Sequence, residues 1–130
     1  MINMDSPDLK HFLPLTPAAF NILLALSDGE KHGYAIMQAI TLRSGGEVRM
    51  GPGTLYGLIK RMLADGWIEE LDERPDPTLD DERRRYYRLT GLGQRIASAE
   101  AERLAALVAA ARQQGLLPTR GRADSLSGST

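Results

Sequence analysis

The sequence is poor in the residues on which many catalytic and metal-binding sites depend. It has no cysteine in 130 residues and only two histidines. The lack of cysteine excludes disulfides, thiolate metal sites and cysteine nucleophiles. His11 and His32 stand in no spacing typical of a catalytic base or a metal pair. The acidic run that includes Glu69 and Glu70 is better explained as a solvated edge than as a catalytic carboxylate pair. We therefore expect no enzyme activity, no metal and no cofactor.

Long apolar runs and an excess of one charge are also missing. No stretch of about 18 apolar residues occurs, so we expect no membrane span. The first residues carry acids and lack the apolar centre of a signal peptide, which favours a cytoplasmic protein. Formal net charge is −1, so the whole chain has no basic field. The cations are instead local, in the segments 43–61 and 83–88, and local patches determine a binding surface.

The length predicts one domain with a modest core. Residues 1–14 are interpreted as an N-terminal arm, in which Leu9, Phe12 and Leu13 predict one turn that docks on a neighbouring element. Residues 118–130 are rich in Gly, Ser, Thr and Arg, which predicts a disordered tail. The part between them is predicted to fold.

Three helices are expected in the first half of that part. Thr16 and Pro17 are typical of a helix start, and Tyr34 begins a second helix that ends near Arg43. The break 44–46 and a short extended link lead to a third helix within 51–66. Helix, break and helix at this spacing indicate a helix-turn-helix.

The third helix has two different faces. Its core face repeats at helical spacing and consists of Leu55, Leu58, Ile59 and Met62. Pro52 suits its first turn, although Thr54 is an alternative cap, and Gly66 suits its end. The other face carries Tyr56, Gly57, Lys60 and Arg61, which a core does not need. Such a face is typical of a helix in the DNA major groove, and a merely solvated face is the alternative.

The second half predicts a hairpin and a long helix. Residues 67–71 and 83–89 read as two strands separated by a polar loop, which after a helix-turn-helix indicates a wing. Thr90 caps a final helix to about Gln114, roughly 35 Å long at 1.5 Å per residue. A domain of this size cannot cover so long an apolar stripe, so we predict dimerisation through Ile96, Leu104, Leu107, Val108 and Ala111. The alternative is that the helix folds back on its own domain.

The predicted fold class is mostly α (α+β): a winged helix-turn-helix domain with a two-stranded wing and a long C-terminal dimerisation helix. We place the DNA-binding domain at 15–89 and the dimerisation helix at 90–117. The order of the motifs then resembles the PadR-type transcriptional regulators, in particular their branch with a short C-terminal part. The resemblance runs from about Leu15 to Leu117 and is carried by His32-Gly33-Tyr34-Ala35-Ile36, Gly53-Thr54-Leu55-Tyr56, Gly66-Trp67-Ile68 and Arg85-Tyr86-Tyr87-Arg88-Leu89-Thr90.

This resemblance implies a homodimeric repressor that binds double-stranded DNA at a pseudo-palindromic operator. The candidate DNA contacts are Thr54, Tyr56 and Gly57 for base edges, Lys60 and Arg61 for phosphates, His32 and Tyr34 at the start of the second helix, and Arg83, Arg84 and Arg85 on the wing. For His32 a capping or surface role is the alternative. For Tyr34 it is an aromatic core contact.

The resemblance also implies release by a small aromatic effector, which many family members bind near the dimer interface. In some short members, aromatic residues of the C-terminal helix line that pocket. The segment 91–114 contains no aromatic residue, which argues against stacking there. Trp67 is the only tryptophan, and we expect it to anchor the base of the wing rather than to bind a ligand. A winged-helix protein-protein adaptor without sequence-specific DNA binding is the alternative function.

Overall fold

The computed structural model describes residues 9–71 and 85–118. A short 3₁₀ turn, Lys10–Phe12, precedes seven regular elements: α1 Pro17–Leu26, β1 Lys31–His32, α2 Gly33–Arg43, α3 Pro52–Ala64, β2 Ile68–Leu71, β3 Tyr86–Leu89 and α4 Gly91–Gln113. The described residues thus form four helices and one small three-stranded sheet, and the chain has the winged-helix fold with a long C-terminal helix.

Helices α1 and α4 begin at the predicted residues, because threonine side chains there satisfy backbone N–H groups that the first turn leaves unpaired. Helix α2 begins at Gly33, one residue before the predicted Tyr34. Thr16 Oγ1 accepts from Ala19 N at 3.1 Å, and Thr90 Oγ1 accepts from Gly93 N at 3.1 Å. Pro17 and Pro52 occupy first-turn positions. Gly66 has a φ of 79° just after α3, as its predicted place at a helix end requires.

The predicted hairpin is present as an antiparallel pair of β2 and β3. A third strand, β1, pairs with the other edge of β3, so the strand order is β1-β3-β2. The residue pattern does not predict β1, because two residues are too few to show an alternation. Its pairing holds the start of α2 against the wing.

One core unites the helices with the sheet. Its fully buried side chains come from every helix and from β2, and include Ile22, Leu23, Ile36, Ile40, Leu55, Ile68 and Ile96. The position of Ile96 corrects the prediction that it contacts a second copy, since it is fully buried within its own chain. The first half of α4 therefore folds back on its own domain, as the alternative interpretation stated.

A glycine allows α4 to approach the wing closely. A β-carbon added at Gly93 would lie 2.0 Å from the carbonyl oxygen of Trp67. Thr90 strengthens this junction, because its N–H and its hydroxyl both donate to that carbonyl, at 3.0 Å each. The direction in which α4 leaves the wing is set by these contacts.

An ion pair within α4 has a buried carboxylate, that of Glu100, and a partly exposed arginine, Arg103. Arg103 donates to both carboxylate oxygens of Glu100, at 2.8 and 2.7 Å. The Glu100 side chain is only 2% exposed, and the Arg103 hydrogen bonds hold its pKa below the ordinary value although burial acts in the opposite direction.

The described part of the N-terminal arm forms the single turn that was predicted. Leu9 joins the core of its own domain, and the ring of Phe12 meets that of Trp67 edge-on, with centroids 5.5 Å apart. The predictions for residues 1–8, for the polar loop 72–82 and for the tail from residue 119 onward lie outside the described residues. None of the described helices has the length and apolar character that crossing a membrane requires.

Candidate nucleic-acid interface

The third helix has the two faces that its spacing predicts. Leu55, Ile59 and Met62 are buried against the rest of the domain. The opposite face is exposed and presents Thr54, Tyr56, Gly57, Lys60 and Arg61. The structure thus places all five predicted contacts of this helix together on one open surface, with two cations and no acid among them.

Three glycines leave that surface without side chains near the start of the helix. A β-carbon added at Gly51, Gly53 or Gly57 would meet no atom within 4 Å. Packing among the described residues therefore gives no reason for glycine at these positions. The N-cap residue of α3 is Gly51, which has no side chain, so the described residues place no capping acceptor at the first N–H groups of the helix. The arrangement leaves room for a partner to approach the helix backbone closely.

Tyr56 is held in place by a glycine on the neighbouring helix. A β-carbon added at Gly33 would lie 2.2 Å from Tyr56 Oη and 2.6 Å from its Cζ. Gly33 is buried, whereas Tyr56 keeps 39% of its surface exposed. The tyrosine thus has one side against the start of α2 and the other available to a partner.

His32 is a helix cap within a small group of rings. Its Nδ1 accepts from Ala35 N at 3.1 Å, which confirms the capping role that was the alternative to DNA contact. Its ring stacks on Tyr34 with centroids 6.4 Å apart and meets Tyr86 edge-on at 5.3 Å. Tyr34 is itself exposed, so the alternative of a core contact for this residue is wrong.

The described part of the wing pairs its arginines with acids. Arg88 Nε lies 2.7 Å from Glu69 Oε2, and Arg85 Nη1 lies 3.4 Å from Glu70 Oε2. Arg83 and Arg84 lie outside the described residues. Tyr87 is buried beneath this surface, and burial, followed by the charge of Glu70, raises the pKa of its hydroxyl. Arg85, one of the predicted wing cations, therefore lies on the surface, where the carboxylate of Glu70 partly neutralises its charge.

The second half of α4 leaves its apolar stripe partly uncovered. Leu107 is 56% and Val108 40% exposed, whereas Leu104 and Ala111 are partly buried. These four residues remain candidates for contact with a second copy, in contrast to Ile96. Leu116 and Leu117, beyond the end of the helix, are exposed as well.

Two features were missed in the sequence. Arg49 is exposed in the link before α3, and its place two residues ahead of the helix cap in a cation-rich segment was the available signal. The second is a cleft between the N-terminal arm, α1 and α3, lined in part by Trp67. Trp67 is partly buried at the base of the wing, where we expected it, but no pattern in the sequence predicted a cleft beside it.

Comparisons with known proteins agree with this geometry. The family model described as "Transcriptional regulator PadR-like family" matches residues 22–99. A curated relative, an uncharacterized 37.1 kDa protein in transposon Tn4556 of Streptomyces fradiae, is 40% identical over 86 residues. That match covers 66% of this chain but only 22% of the relative, so the chain corresponds to a minor part of that protein.

Solved structures share the fold at low identity. A transcriptional regulator from Clostridium thermocellum has a TM-score of 0.61 at 21% identity, with 83% of this chain and 97% of that one covered. Bacillus subtilis PadR in complex with operator DNA has a TM-score of 0.56 at 19% identity, with 78% and 64% covered. The family match over residues 22–99 shows that the chain belongs to the PadR-like family of transcriptional regulators.

Proposed function

We propose that this chain is a homodimeric repressor that binds a pseudo-palindromic operator through the exposed face of α3. The observation that carries the proposal is the pairing of exposed cations with open glycines on that face. Lys60 and Arg61 supply charge for phosphates, while no described residue comes within 4 Å of a β-carbon added at Gly57. The structure of B. subtilis PadR contains operator DNA. This likeness supports double-stranded DNA as the partner of the present chain.

The chemistry of the face assigns different roles along the helix. Thr54 and Tyr56 lie in its first turns and offer hydroxyl groups that donate to or accept from base edges. Lys60 and Arg61 lie a turn further on and contact phosphates on either side of the groove. Arg49 and Arg85 extend this contact from the link and the wing. Phosphate contacts provide affinity, and the hydroxyl groups provide selectivity.

Dimerisation supplies the second half-site. Leu107 and Val108 are exposed apolar residues in the second half of α4. Exposed apolar surface of this kind marks an interaction site, and contact with a second copy removes it from water. A two-fold axis between the copies aligns two α3 helices with half-sites about 34–36 Å apart, or a multiple of that distance. A small aromatic effector that shifts this geometry would release the operator.

The test is binding of DNA from the promoter region next to the gene, with random DNA of equal length as the control. We expect the promoter fragment to be preferred and its affinity to fall steeply with salt, because each neutralised phosphate releases counterions. Tyr56→Ala or Lys60→Ala should weaken binding of the promoter fragment in a gel-shift titration, while the oligomeric state of the protein stays unchanged. Equal, salt-insensitive binding of both fragments would overturn the proposal and favour a protein-protein adaptor.

A further inference from the structure

The link between α2 and α3 is tied to the end of α2 by one side-chain hydroxyl, that of Ser44. Ser44 is the C-terminal cap of α2, and its hydroxyl donates to the carbonyl oxygen of Thr41, the nearer of two acceptors, at 3.2 Å. The same Oγ accepts from the backbone N–H of Val48 at 2.9 Å. A single hydroxyl group thus joins the last turn of the helix to the link that leads to α3.

The link depends on such a contact because it contains two adjacent glycines. Gly45 and Gly46 have φ angles of 65° and 88°, which only glycine adopts readily, and they allow the chain to reverse after α2. Glycine also loses the most conformational freedom on folding. The N–H groups of both glycines and of Glu47 donate to backbone carbonyls within 41–44, at 3.1, 2.8 and 3.2 Å. The N–H of Val48, by contrast, has a side chain as its acceptor.

Arg49 is the cation that this link presents to solvent. Its neighbours Val48 and Met50 pack against the core of the domain, whereas Arg49 is exposed. Arg49 makes no ion pair with a described residue, in contrast to Arg85, whose charge Glu70 partly neutralises. It stands two residues before the N-cap of α3, next to the helix that carries the candidate base contacts. A cation on a backbone that is already fixed loses less conformational freedom when it binds a phosphate.

We propose that Ser44 is a positioning residue for DNA binding, which acts through Arg49 by fixing the link on which that arginine stands. Arg49 contacts a phosphate beside the half-site, and Ser44 itself touches no DNA. Without the hydroxyl, the N–H of Val48 loses its acceptor and the two glycines admit other conformations of the link. DNA must then order the link when it binds, and affinity falls. This inference rests on the proposed function and adds the residue that makes one phosphate contact effective.

The experiment combines Ser44→Ala with Arg49→Gln in the full chain. It measures affinity for the promoter fragment at several salt concentrations, and the salt slope is the change of log affinity with log salt concentration. Arg49→Gln should reduce this slope by about one, because one phosphate contact is lost. Ser44→Ala should weaken binding about two- to tenfold, and should cause no further loss in the Arg49→Gln background. Ser44→Thr keeps the hydroxyl and should bind like the wild-type chain.

A second serine in the same structural position provides the matched control. Ser27 caps the C-terminus of α1, and its hydroxyl donates to the carbonyl oxygen of Leu24 at 2.7 Å. Helix α1 carries none of the candidate contacts, so Ser27→Ala should leave affinity and salt slope unchanged. Hydrogen exchange of the Val48 amide, measured without DNA, should become about tenfold faster in Ser44→Ala and stay unchanged in Ser27→Ala.

Two results would overturn the inference while the proposed function stands. The first is an equal loss of affinity from Ser44→Ala with and without Arg49, since Ser44 would then act on the fold in general. The second is a Val48 amide that exchanges at the same rate in Ser44→Ala and in the wild-type chain. Failure of the proposed function is a separate result, because it appears in the wild-type chain as equal binding of promoter and random DNA, and it would overturn both.

Discussion

The ring of Tyr56 lies so close to the backbone of Gly33 that no β-carbon fits between them, since one added at Gly33 would be 2.2 Å from the tyrosine oxygen. This contact joins the first turn of α2 to the exposed face of α3. It holds the side chain on which the proposed base contacts depend most. The glycine is therefore needed for the position of a functional residue rather than for a turn.

Gly33→Ala should destabilise the fold by about 0.5–1.5 kcal/mol, because the added methyl group pushes the outer end of the half-exposed Tyr56 ring away from its preferred rotamer. It should also weaken operator binding, since Tyr56 can no longer keep its place. Chemical denaturation and a gel-shift titration measure the two effects. In a Tyr56→Ala background the methyl group has room, so the cost of Gly33→Ala should disappear. An equal cost in both backgrounds would show that the contact is not the cause.

Gly57→Ala should have opposite effects on stability and on DNA binding. Alanine is favoured over glycine within a helix by about 0.5–1 kcal/mol, and nothing lies within 4 Å to oppose the methyl group. The variant should therefore unfold at a higher temperature, yet bind the operator more weakly because the methyl group meets the DNA. Gly91→Ala is the matched control, since its methyl group would contact only the end of the Arg95 side chain, at 3.6 Å. Unchanged DNA affinity in Gly57→Ala would remove this face of α3 from the interface.

Glu70→Gln should increase DNA affinity several-fold at low salt. The change removes a negative charge that pairs with Arg85 at 3.4 Å on the proposed DNA side of the wing. Arg85→Gln should instead weaken binding and reduce the salt slope by about one. Glu102→Gln, on the exposed surface of α4, is the control for the same change of net charge. Equal DNA affinity for all three variants would show that the wing does not contact the phosphate backbone of the DNA.

Leu107→Glu and Val108→Glu should each convert a dimer into a monomer. Both side chains are exposed and apolar, and a carboxylate buried between two copies has no partner there. Sedimentation equilibrium measures the mass of the species in solution. Ala106→Glu adds the same charge to the same helix on the other side and should remain dimeric. A wild-type chain that is already monomeric would contradict the proposed assembly.

Glu100→Gln should lower stability at neutral pH by roughly 1–3 kcal/mol, because the charged hydrogen bonds to Arg103 are weakened. The folded-state pKa of Glu100 lies below its ordinary value of 4.5, so its contribution is full above that value. The contribution is lost as pH falls through the lower folded-state pKa. Denaturation curves of the two proteins should therefore converge in acid. A difference that is constant with pH would mean that ionisation of Glu100 is not involved.

The pattern of residues was sufficient to predict the elements that repeat regularly over many positions. The two faces of α3, the caps Thr16 and Thr90, the hairpin and the length of α4 all follow from local spacing and local hydrogen bonds, which neighbouring residues control. For the same reason the helical spacing of the five candidate contacts on α3 was enough to group them on one surface. The strand β1 was missed because its signal comes only from its partner β3.

The sequence by itself determined the winged-helix fold and the exposed face of α3, since both arise from periodicity along the chain. Only the tertiary structure decided that Ile96 belongs to the core of its own domain and that Glu70 pairs with Arg85. It also decided that the ring of Tyr56 packs against Gly33, and that the indole N–H of Trp67 has no partner among the residues described. Each of these depends on residues distant in the chain that approach within a few ångströms. Such distances are set by how the helices and the sheet pack, and no local pattern contains them.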